Sequence, residues 1–144
     1  MSLAPALGTA AVELTKFARA AFEIRMPAQP DRVAQARKTT AAHLARWGVP
    51  LALADDVVLV VSELVTNAIE HGQGDVVLRV ERRRAHLYVG VADGSPVRAA
   101  IRPTNEEDPG GRGLVLVDAL SAGWGTTEDG QLTWAHVTNS GGRA

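Results

Sequence analysis

The 144-residue chain contains no cysteine, so its chemistry does not involve thiols. Disulfide bonds, thiolate catalysis and thiolate metal sites are therefore excluded. The histidines are few and scattered, and none has the spacing typical of metal ligands: they are His43, His71, His86 and His136. We expect each of them to be an ordinary surface or half-buried imidazole, which is common for this residue.

Charge excess and long apolar runs are also absent. The formal net charge is −1, which indicates no nucleic acid or other strongly charged partner. The most apolar stretch, residues 51–69, is interrupted by Asp55, Asp56 and Glu63, so no segment has the roughly 20 uncharged apolar residues of a membrane helix. The N-terminus lacks the order of a signal peptide, in which a basic region precedes an apolar one. We expect a soluble, cytoplasmic protein without membrane contact.

The one basic cluster is Arg82-Arg83-Arg84. It separates two runs that are typical of β-strands, and this position favours a solvated hairpin turn. A nucleic-acid surface is the weaker alternative, because no aromatic residue is interleaved with the arginines.

The apolar periodicity and the turn residues predict one domain of mixed secondary structure. Asp31 suits the N-cap of the first helix, and Gly48 suits its C-terminal end. The predicted order is a strand at 22–26, helices at 31–47 and 51–71, strands at 76–81 and 85–91, an irregular segment at 93–111, a helix at 112–120, and a hairpin of 124–127 with 132–137. We interpret this order as an α+β fold, a two-layer sandwich with a mixed, mainly antiparallel sheet covered on one face by about three helices. Residues 1–20 are then an N-terminal extension, 21–139 the domain and 140–144 a disordered tail.

Two polar residues interrupt the most apolar helix. Glu63 and Asn67 are four residues apart and so share one helical face. A carboxamide oxygen suits Mg²⁺, which prefers oxygen ligands together with waters and phosphates. A carboxylate one turn earlier can accept a proton from an attacking hydroxyl. A polar stripe that faces solvent is the open alternative, because Ser62, Thr66 and Glu70 widen it.

Two further segments have the composition of a nucleotide site. Asp93 and Gly94 follow a predicted strand, where a carboxylate can accept a hydrogen bond from an exocyclic amine and glycine lets a planar ring approach. Gly110, Gly111, Arg112 and Gly113 lead into the third predicted helix, where free N–H groups and a guanidinium can hold a phosphate. Taken alone, Asp93-Gly94 is more typical of an ordinary turn, and the alternative for the second segment is a flexible loop and a helix start.

Taken in order, these segments resemble the motifs of the GHKL superfamily of ATP-binding proteins, which includes gyrase and the histidine kinases. Glu63-x-x-x-Asn67 resembles the N box, Asp93-x-Ser95 a reduced G1 box, and Gly111-Arg112-Gly113-Leu114 the G2 box. The resemblance covers residues 22–138 and is strongest for small anti-sigma factor serine kinases of the RsbW and SpoIIAB type, in the short form found in actinomycetes.

The resemblance implies a role for each motif. Glu63 would be the base that activates the acceptor hydroxyl, Asn67 would ligate Mg²⁺, and Asp93 would hold the adenine amino group. Residues 95–110 would be a lid over the nucleotide. The cofactor-binding residues implied in this way are Asn67, Asp93, Gly94, Gly111, Arg112, Gly113, Leu114 and Thr133.

Two segments depart from the family pattern. Asp93 is followed by Gly94-Ser95-Pro96-Val97, without the two later glycines of the G1 box, which reduces backbone freedom around the nucleotide. In the last hairpin, Gln131-Leu132-Thr133 replaces the usual Lys-Thr pair, and strand alternation turns Leu132 and Thr133 to opposite faces.

The resemblance implies a serine/threonine-protein kinase that binds Mg-ATP, sequesters a sigma factor and phosphorylates a STAS-type anti-anti-sigma partner, acting as a homodimer. One alternative is a regulatory module that binds its partner without kinase activity, with or without nucleotide. Another is the catalytic domain of a histidine kinase, which is disfavoured because residues 1–20 are too few for a dimerisation domain that carries the acceptor histidine.

Overall fold

The structure is a computed structural model that describes residues 17–93, 109–128 and 130–138, and for 109–113 the backbone alone. Within these residues, five strands form one sheet and three helices accompany it. In chain order the elements are β1 (Ala18–Met26), α1 (Arg32–Arg46), α2 (Leu51–His71), β2 (Val76–Arg83), β3 (Leu87–Ala92), α3 (Pro109–Leu120), β4 (Gly123–Thr126) and β5 (Leu132–Val137). The predicted α+β two-layer sandwich is confirmed.

The strands lie in the order β1-β2-β3-β5-β4, and each neighbouring pair is antiparallel. Because β3 pairs with β5 and not with β4, the last hairpin places its second strand in the interior of the sheet and its first strand at the edge. The end of β3 therefore lies beside the start of β5, with Ala92 opposite Leu132.

The central element is α2, which packs on both other helices and on β2, β3 and β5. Its predicted bounds are confirmed, because Pro50 precedes it and Gly72 follows it. Its core-facing stripe recurs at helical spacing and consists of Leu53, Ala54, Val57, Val60, Val61, Leu64, Val65 and Ala68. Among the described residues, no helix is both long and apolar enough to cross a membrane.

The ends of α1 follow the sequence signals in part. Asp31 occupies the N-cap position, but its side chain makes no capping hydrogen bond. At the other end, Gly48 has a φ of +73°. Its N–H donates to the Ala45 carbonyl oxygen at 3.0 Å, and the Val49 N–H donates to that of Leu44 at 3.0 Å. These two hydrogen bonds form the Schellman motif, which favours glycine at its left-handed position.

The sheet has two unequal faces. On β3, Leu87, Val89 and Val91 point towards the helices and are buried. Tyr88, Gly90 and Ala92 point to the opposite side, which we call the outer face. Gly90 lies beneath Tyr88, since a Cβ built on Gly90 would be 2.5 Å from the Tyr88 hydroxyl oxygen.

Several predicted boundaries were wrong. β1 begins at Ala18, four residues before the predicted start of the strand at residue 22. Arg82 and Arg83 continue β2, and the hairpin turn covers residues 84–86, closed by a bond from the Arg83 N–H to the His86 carbonyl oxygen of 2.9 Å. α3 begins at Pro109, three residues before the predicted start. Gly94, the greater part of the predicted lid and the predicted tail lie outside the described residues.

Candidate functional site

α2 brings Glu63 and Asn67 to the edge of the interface between helices and sheet. Both side chains are half-buried, and they adjoin the buried Val60 and Leu64. Four residues of helix separate them by about 6 Å along the axis, so the carboxylate and the carboxamide lie on one side. Glu70 is exposed, whereas this pair is half-shielded from solvent. The pair is thus neither in the core nor on an open solvent stripe.

Asp93 lies against the C-terminal end of α2. Its backbone N–H donates to the Gln131 carbonyl oxygen at 2.9 Å, which extends the β3–β5 ladder beyond Ala92. A Cβ built on Gly72 would be 2.5 Å from both Cγ and Oδ2 of Asp93. Gly72 comes about 7.5 Å after Asn67 along the helix axis. The Asp93 carboxylate therefore lies at the same end of α2 as Asn67.

Gly72 is required here by close approach and not by backbone conformation. Its φ of −90° and ψ of −168° are extended values that any residue can adopt. A side chain at this position would collide with the Asp93 carboxylate and with the Ala68 carbonyl oxygen, each at 2.5 Å from the added Cβ. The absence of a side chain at Gly72 is what allows Asp93 to lie against the helix.

Two threonine hydroxyls lie on the helix-facing side of the sheet near Asp93. Thr133 is buried, and it is the cross-strand partner of Val91 on β3 and of Thr126 on β4. Cross-strand partners share a face, as do residues two apart on one strand. Thr126, Thr133 and Asp93 therefore all lie on the side of α2, and Thr133 is about 7–8 Å diagonally from Asp93.

The Thr126 hydroxyl is an unusual group in this neighbourhood. Its Oγ1 is shielded from solvent and has no hydrogen-bond partner among the described residues. Buried polar atoms are nearly always hydrogen-bonded, so an orphan hydroxyl marks a place where a ligand or a water can bind. Leu132 points to the outer face, as the alternation predicted.

The Gly111-Arg112-Gly113 segment lies inside α3 and not ahead of it. Pro109 suits the first helical position because its missing N–H would have no intrahelical acceptor. The N–H groups of the next two residues, Gly110 and Gly111, also lack intrahelical acceptors because they belong to the first turn. The corrected helix start therefore keeps free N–H groups at the predicted glycines. Leu114 is half-buried and packs against the core, on a helix that contacts α2.

Gly72 and Thr126 were not predicted as site residues from the sequence. Gly72 was interpreted only as the end of a helix, because its contact with Asp93 joins segments that are distant in sequence. Thr126 was predicted only as part of a strand. In the structure, its pairing with Thr133 across the last hairpin brings it next to the candidate site. His71, in the last turn of α2, has its Nε2 3.8 Å from Glu70 Oε1.

A group of titratable side chains with shifted pKa values lies on the outer face of the sheet. Burial alone would raise the pKa of Glu81, but hydrogen bonds from Arg79 and Arg83 lower it below its usual value. The Glu81 side chain is 3% exposed, and each of its oxygens accepts from one arginine, with Arg83 Nε at 2.8 Å. Burial and the nearby Arg83 lower the pKa of His86.

Beside this ion cluster, the rings of His86 and His136 contact each other in a tilted arrangement, with centroids 4.3 Å apart and an interplanar angle of 33°. Burial, the neighbouring His86 and Arg83 lower the pKa of His136. Burial raises the pKa of the adjacent Tyr88. The outer face is therefore a structural cluster of charged and aromatic groups, separate from the Asp93 end of α2.

Comparison with known proteins agrees with the geometry. The sequence pattern of the family described as "Histidine kinase-like ATPase domain" matches residues 26–134, which is most of the chain. A serine-protein kinase RsbW from Oceanobacillus iheyensis is 28% identical over 116 residues, which cover 69% of this chain and 73% of the relative. The matched range includes Glu63, Asn67, Asp93 and Thr133. The chain therefore belongs to the histidine kinase-like ATPase (GHKL) family.

Proposed function

We propose that this protein is an Mg²⁺-ATP-dependent serine/threonine-protein kinase that regulates a sigma factor. The observation that carries the proposal is the position of the Asp93 carboxylate, which lies against Gly72 at the end of α2 that holds Asn67. Membership of the GHKL family supports ATP as the nucleotide, and the similarity to a serine-protein kinase supports transfer to a hydroxyl.

In this proposal Asp93 accepts a hydrogen bond from the exocyclic amine of adenine. A carboxylate that accepts such a bond distinguishes adenine from a purine that carries a carbonyl at the same position. Thr133 and Thr126 lie on the same side of the sheet. The unpartnered Thr126 Oγ1 can bond a ring nitrogen of the base, directly or through a water. Gly94, next to Asp93, completes the proposed base site.

The phosphates are proposed to lie between α2 and the start of α3. The free N–H groups at Gly110 and Gly111 suit phosphate oxygens, and the dipole of α3 favours negative charge there. We assign Arg112 a charge-assisted contact to phosphate and Gly113 the close backbone approach. Leu114 anchors the helix on the core immediately after this segment.

The residues present fit one Mg²⁺ ion that is held mainly by the nucleotide. Among the described residues, no group of three acidic or histidine side chains could form a complete metal site. Mg²⁺ bound to ATP needs only one or two protein oxygens, because phosphates and waters fill its other positions. The Asn67 carboxamide oxygen is the proposed protein ligand. When bound, Mg²⁺ would neutralise charge on the phosphates.

Glu63 is proposed as the base for the acceptor. The seryl or threonyl oxygen of the partner attacks the γ-phosphorus, the bond from that phosphorus to the β–γ bridging oxygen breaks, and ADP leaves. Glu63 takes the proton of the hydroxyl as the new P–O bond forms. Its half-buried position one turn from Asn67 suits this role, because it keeps the carboxylate near the metal ligand and accessible.

The proposed partners follow from the similarity to an anti-sigma factor kinase. We propose that the chain sequesters a sigma factor and phosphorylates a STAS-type anti-anti-sigma protein, and that it works in the cytoplasm as a homodimer. Sedimentation equilibrium with and without ATP tests the dimer.

The main test replaces Glu63 by Gln and measures phosphoserine or phosphothreonine on a cognate anti-anti-sigma domain. We expect the transfer rate to fall by at least about 100-fold, the range for loss of a general base, while ADP affinity stays within about twofold. Glu70→Gln is the matched control, because Glu70 is an exposed glutamate on the same side of α2, seven residues later. The control should keep the wild-type rate.

Two results would contradict the proposal. Undiminished transfer by Glu63→Gln would remove Glu63 from the base role. Failure of the wild-type protein to bind ADP or ATP at millimolar concentration in a calorimetric titration would favour a partner-binding module that works without nucleotide.

A further inference from the structure

A small pocket lies at the opposite end of the molecule from Asp93. It has a volume of about 190 Å³ and is formed by the loop between α1 and α2 and by the β2–β3 hairpin. Val49, Pro50 and Leu53 line one side, and Arg82, Arg84 and His86 line the other. We call it the hairpin pocket. It is smaller than the roughly 300–1,000 Å³ of typical ligand sites, so it suits one or two side chains and not a nucleotide.

The charge of the hairpin pocket is entirely positive. Of the three consecutive arginines, only Arg83 has an acidic partner, Glu81, which is shared with Arg79. Arg82 and Arg84 are exposed and form no ion pair with any described residue. No aspartate or glutamate lines the pocket. Within the described residues, His86 Nε2 is also shielded from solvent without a hydrogen-bond partner.

An exposed apolar side chain directly follows the pocket-lining Pro50 in the chain. Leu51, the first residue of α2, is 76% exposed, more than any other large hydrophobic residue that the structure describes. α2 begins there without a side-chain cap and without an acidic residue in its first turn. The uncapped N–H groups of this first turn therefore carry partial positive charge, in addition to the charge of the arginine side chains.

We propose that the hairpin pocket is a docking surface for a protein segment in which carboxylate side chains flank an apolar one. The carboxylates would pair with Arg82 and Arg84, and the apolar side chain would cover Leu51. Arginine pairs with carboxylates through two parallel hydrogen bonds. A nucleic acid is a poorer match, since two free arginines give few phosphate contacts and no Phe, Tyr or Trp lines the pocket for base stacking.

This surface is separate from the proposed kinase site and goes beyond it. β3 runs from Leu87 at the hairpin pocket to Ala92, next to Asp93. A strand of this length spans about 20 Å. A segment docked on Arg82 and Arg84 therefore leaves the Asp93 end open, and nucleotide and partner can be bound together.

The test uses a short synthetic peptide of Glu, Asp and Leu, together with the same peptide in which Gln and Asn replace the acids. Binding is measured by fluorescence anisotropy and mapped by NMR on the backbone amides. We expect the acidic peptide to shift the amide signals of residues 49, 51–53 and 82–87, and its affinity to fall as ionic strength rises. Arg82→Glu with Arg84→Glu should weaken it at least about tenfold, and Leu51→Ala about threefold.

The matched control is Arg37→Glu with Lys38→Glu, which makes the same charge change at two exposed positions of α1. It should bind the acidic peptide as the wild type does. Equal binding of the neutral peptide, equal loss in the control, or amide shifts centred elsewhere would overturn the proposal. If a short oligonucleotide binds at the same amides more tightly than the acidic peptide, the surface binds nucleic acid and not a protein segment. The NMR map of the wild-type protein decides the location even if a variant folds poorly.

Discussion

Replacing Gly72 by alanine is predicted to weaken nucleotide binding while leaving the fold intact. The added Cβ would lie 2.5 Å from three atoms, namely Cγ and Oδ2 of Asp93 and the carbonyl oxygen of Ala68. Ordinary contacts of a Cβ lie at 3.4–4 Å, so these atoms must separate by roughly 1 Å. The Ala68 carbonyl is held in the last turn of α2, where it accepts from the Gly72 N–H at 2.8 Å. The Asp93 side chain can rotate, so the displacement falls mainly on its carboxylate.

The expected effects on folding and on binding differ in size. Overpacking at a close contact costs about 1–3 kcal/mol, and the extended backbone of Gly72 lets alanine recover about 0.4–1 kcal/mol through the unfolded state. A hydrogen bond to a charged group contributes about 1.5–3 kcal/mol. Its loss corresponds to a fall of about 10- to 150-fold in ADP affinity. The free energy of unfolding should therefore fall by about 2.6 kcal/mol at most.

The assay compares ADP with purine riboside diphosphate, which lacks the 6-amino group, by calorimetric titration. Wild-type protein should prefer ADP, and Gly72→Ala should lose most of this preference. Gly123→Ala is the control, because a Cβ at Gly123 meets no atom within 4 Å. In the Asp93→Ala background the Gly72→Ala change should have little further effect, since two of the three clashing atoms are gone.

The reasoning is refuted if Gly72→Ala binds ADP as tightly as wild type. It is also refuted if the affinities of the variant for ADP and for purine riboside diphosphate fall to the same extent, because that pattern indicates general damage to the site. A wild-type protein that binds neither nucleotide would instead refute the proposed function, so the two failures are distinguishable.

Two further predictions concern buried polar groups. Thr126→Val removes a hydroxyl that has no partner among the described residues, so urea unfolding should show little loss of stability or a small gain. Calorimetry should show the ADP affinity reduced by about threefold to tenfold. A loss of stability with unchanged ADP affinity would contradict the proposed role of Thr126. The lowered pKa values of His86 and His136 mean that the unfolded chain binds more protons than the folded one below the ordinary pKa of 6.5. Stability should therefore be complete above pH 6.5 and fall as the pH drops below it. Urea unfolding between pH 7.5 and pH 5 measures how the free energy of unfolding depends on pH. This dependence should be weaker in the double variant His86→Gln with His136→Gln. An unchanged dependence would mean that other groups cause it.

Much of the fold could be predicted because the strongest signals are local. α2 has an uninterrupted apolar stripe between Pro50 and Gly72, and both of its predicted ends are confirmed. In β5, half-buried and buried residues alternate along the strand, and its predicted bounds are also confirmed. Residues 18–21 are mostly alanine, which has no strand preference, and pairing with β2 incorporates them into the sheet across a register shift at Ala18/Ala20. Tertiary pairing decided that boundary.

The candidate site was predictable in its polar residues but not in its close contacts. Glu63, Asn67 and Asp93 could be recognised because charged and amide side chains are rare beside such apolar segments. The start of α3 was missed because three glycines among residues 110–113 favour a loop, whereas Pro109 supplies a compatible first position. The contact of Gly72 with Asp93 depends on how the helix lies on the sheet, which no local pattern contains.

The outer-face cluster of Arg79, Glu81 and Arg83 constrains how this sequence can diverge. Removing the buried carboxylate alone would leave two guanidinium groups facing each other, at a cost of about 3–5 kcal/mol. Exchanging all three for apolar residues of similar volume could be nearly neutral. We therefore expect these positions to change as a set among homologous sequences, while the adjacent exposed Arg82 drifts independently unless a partner holds it.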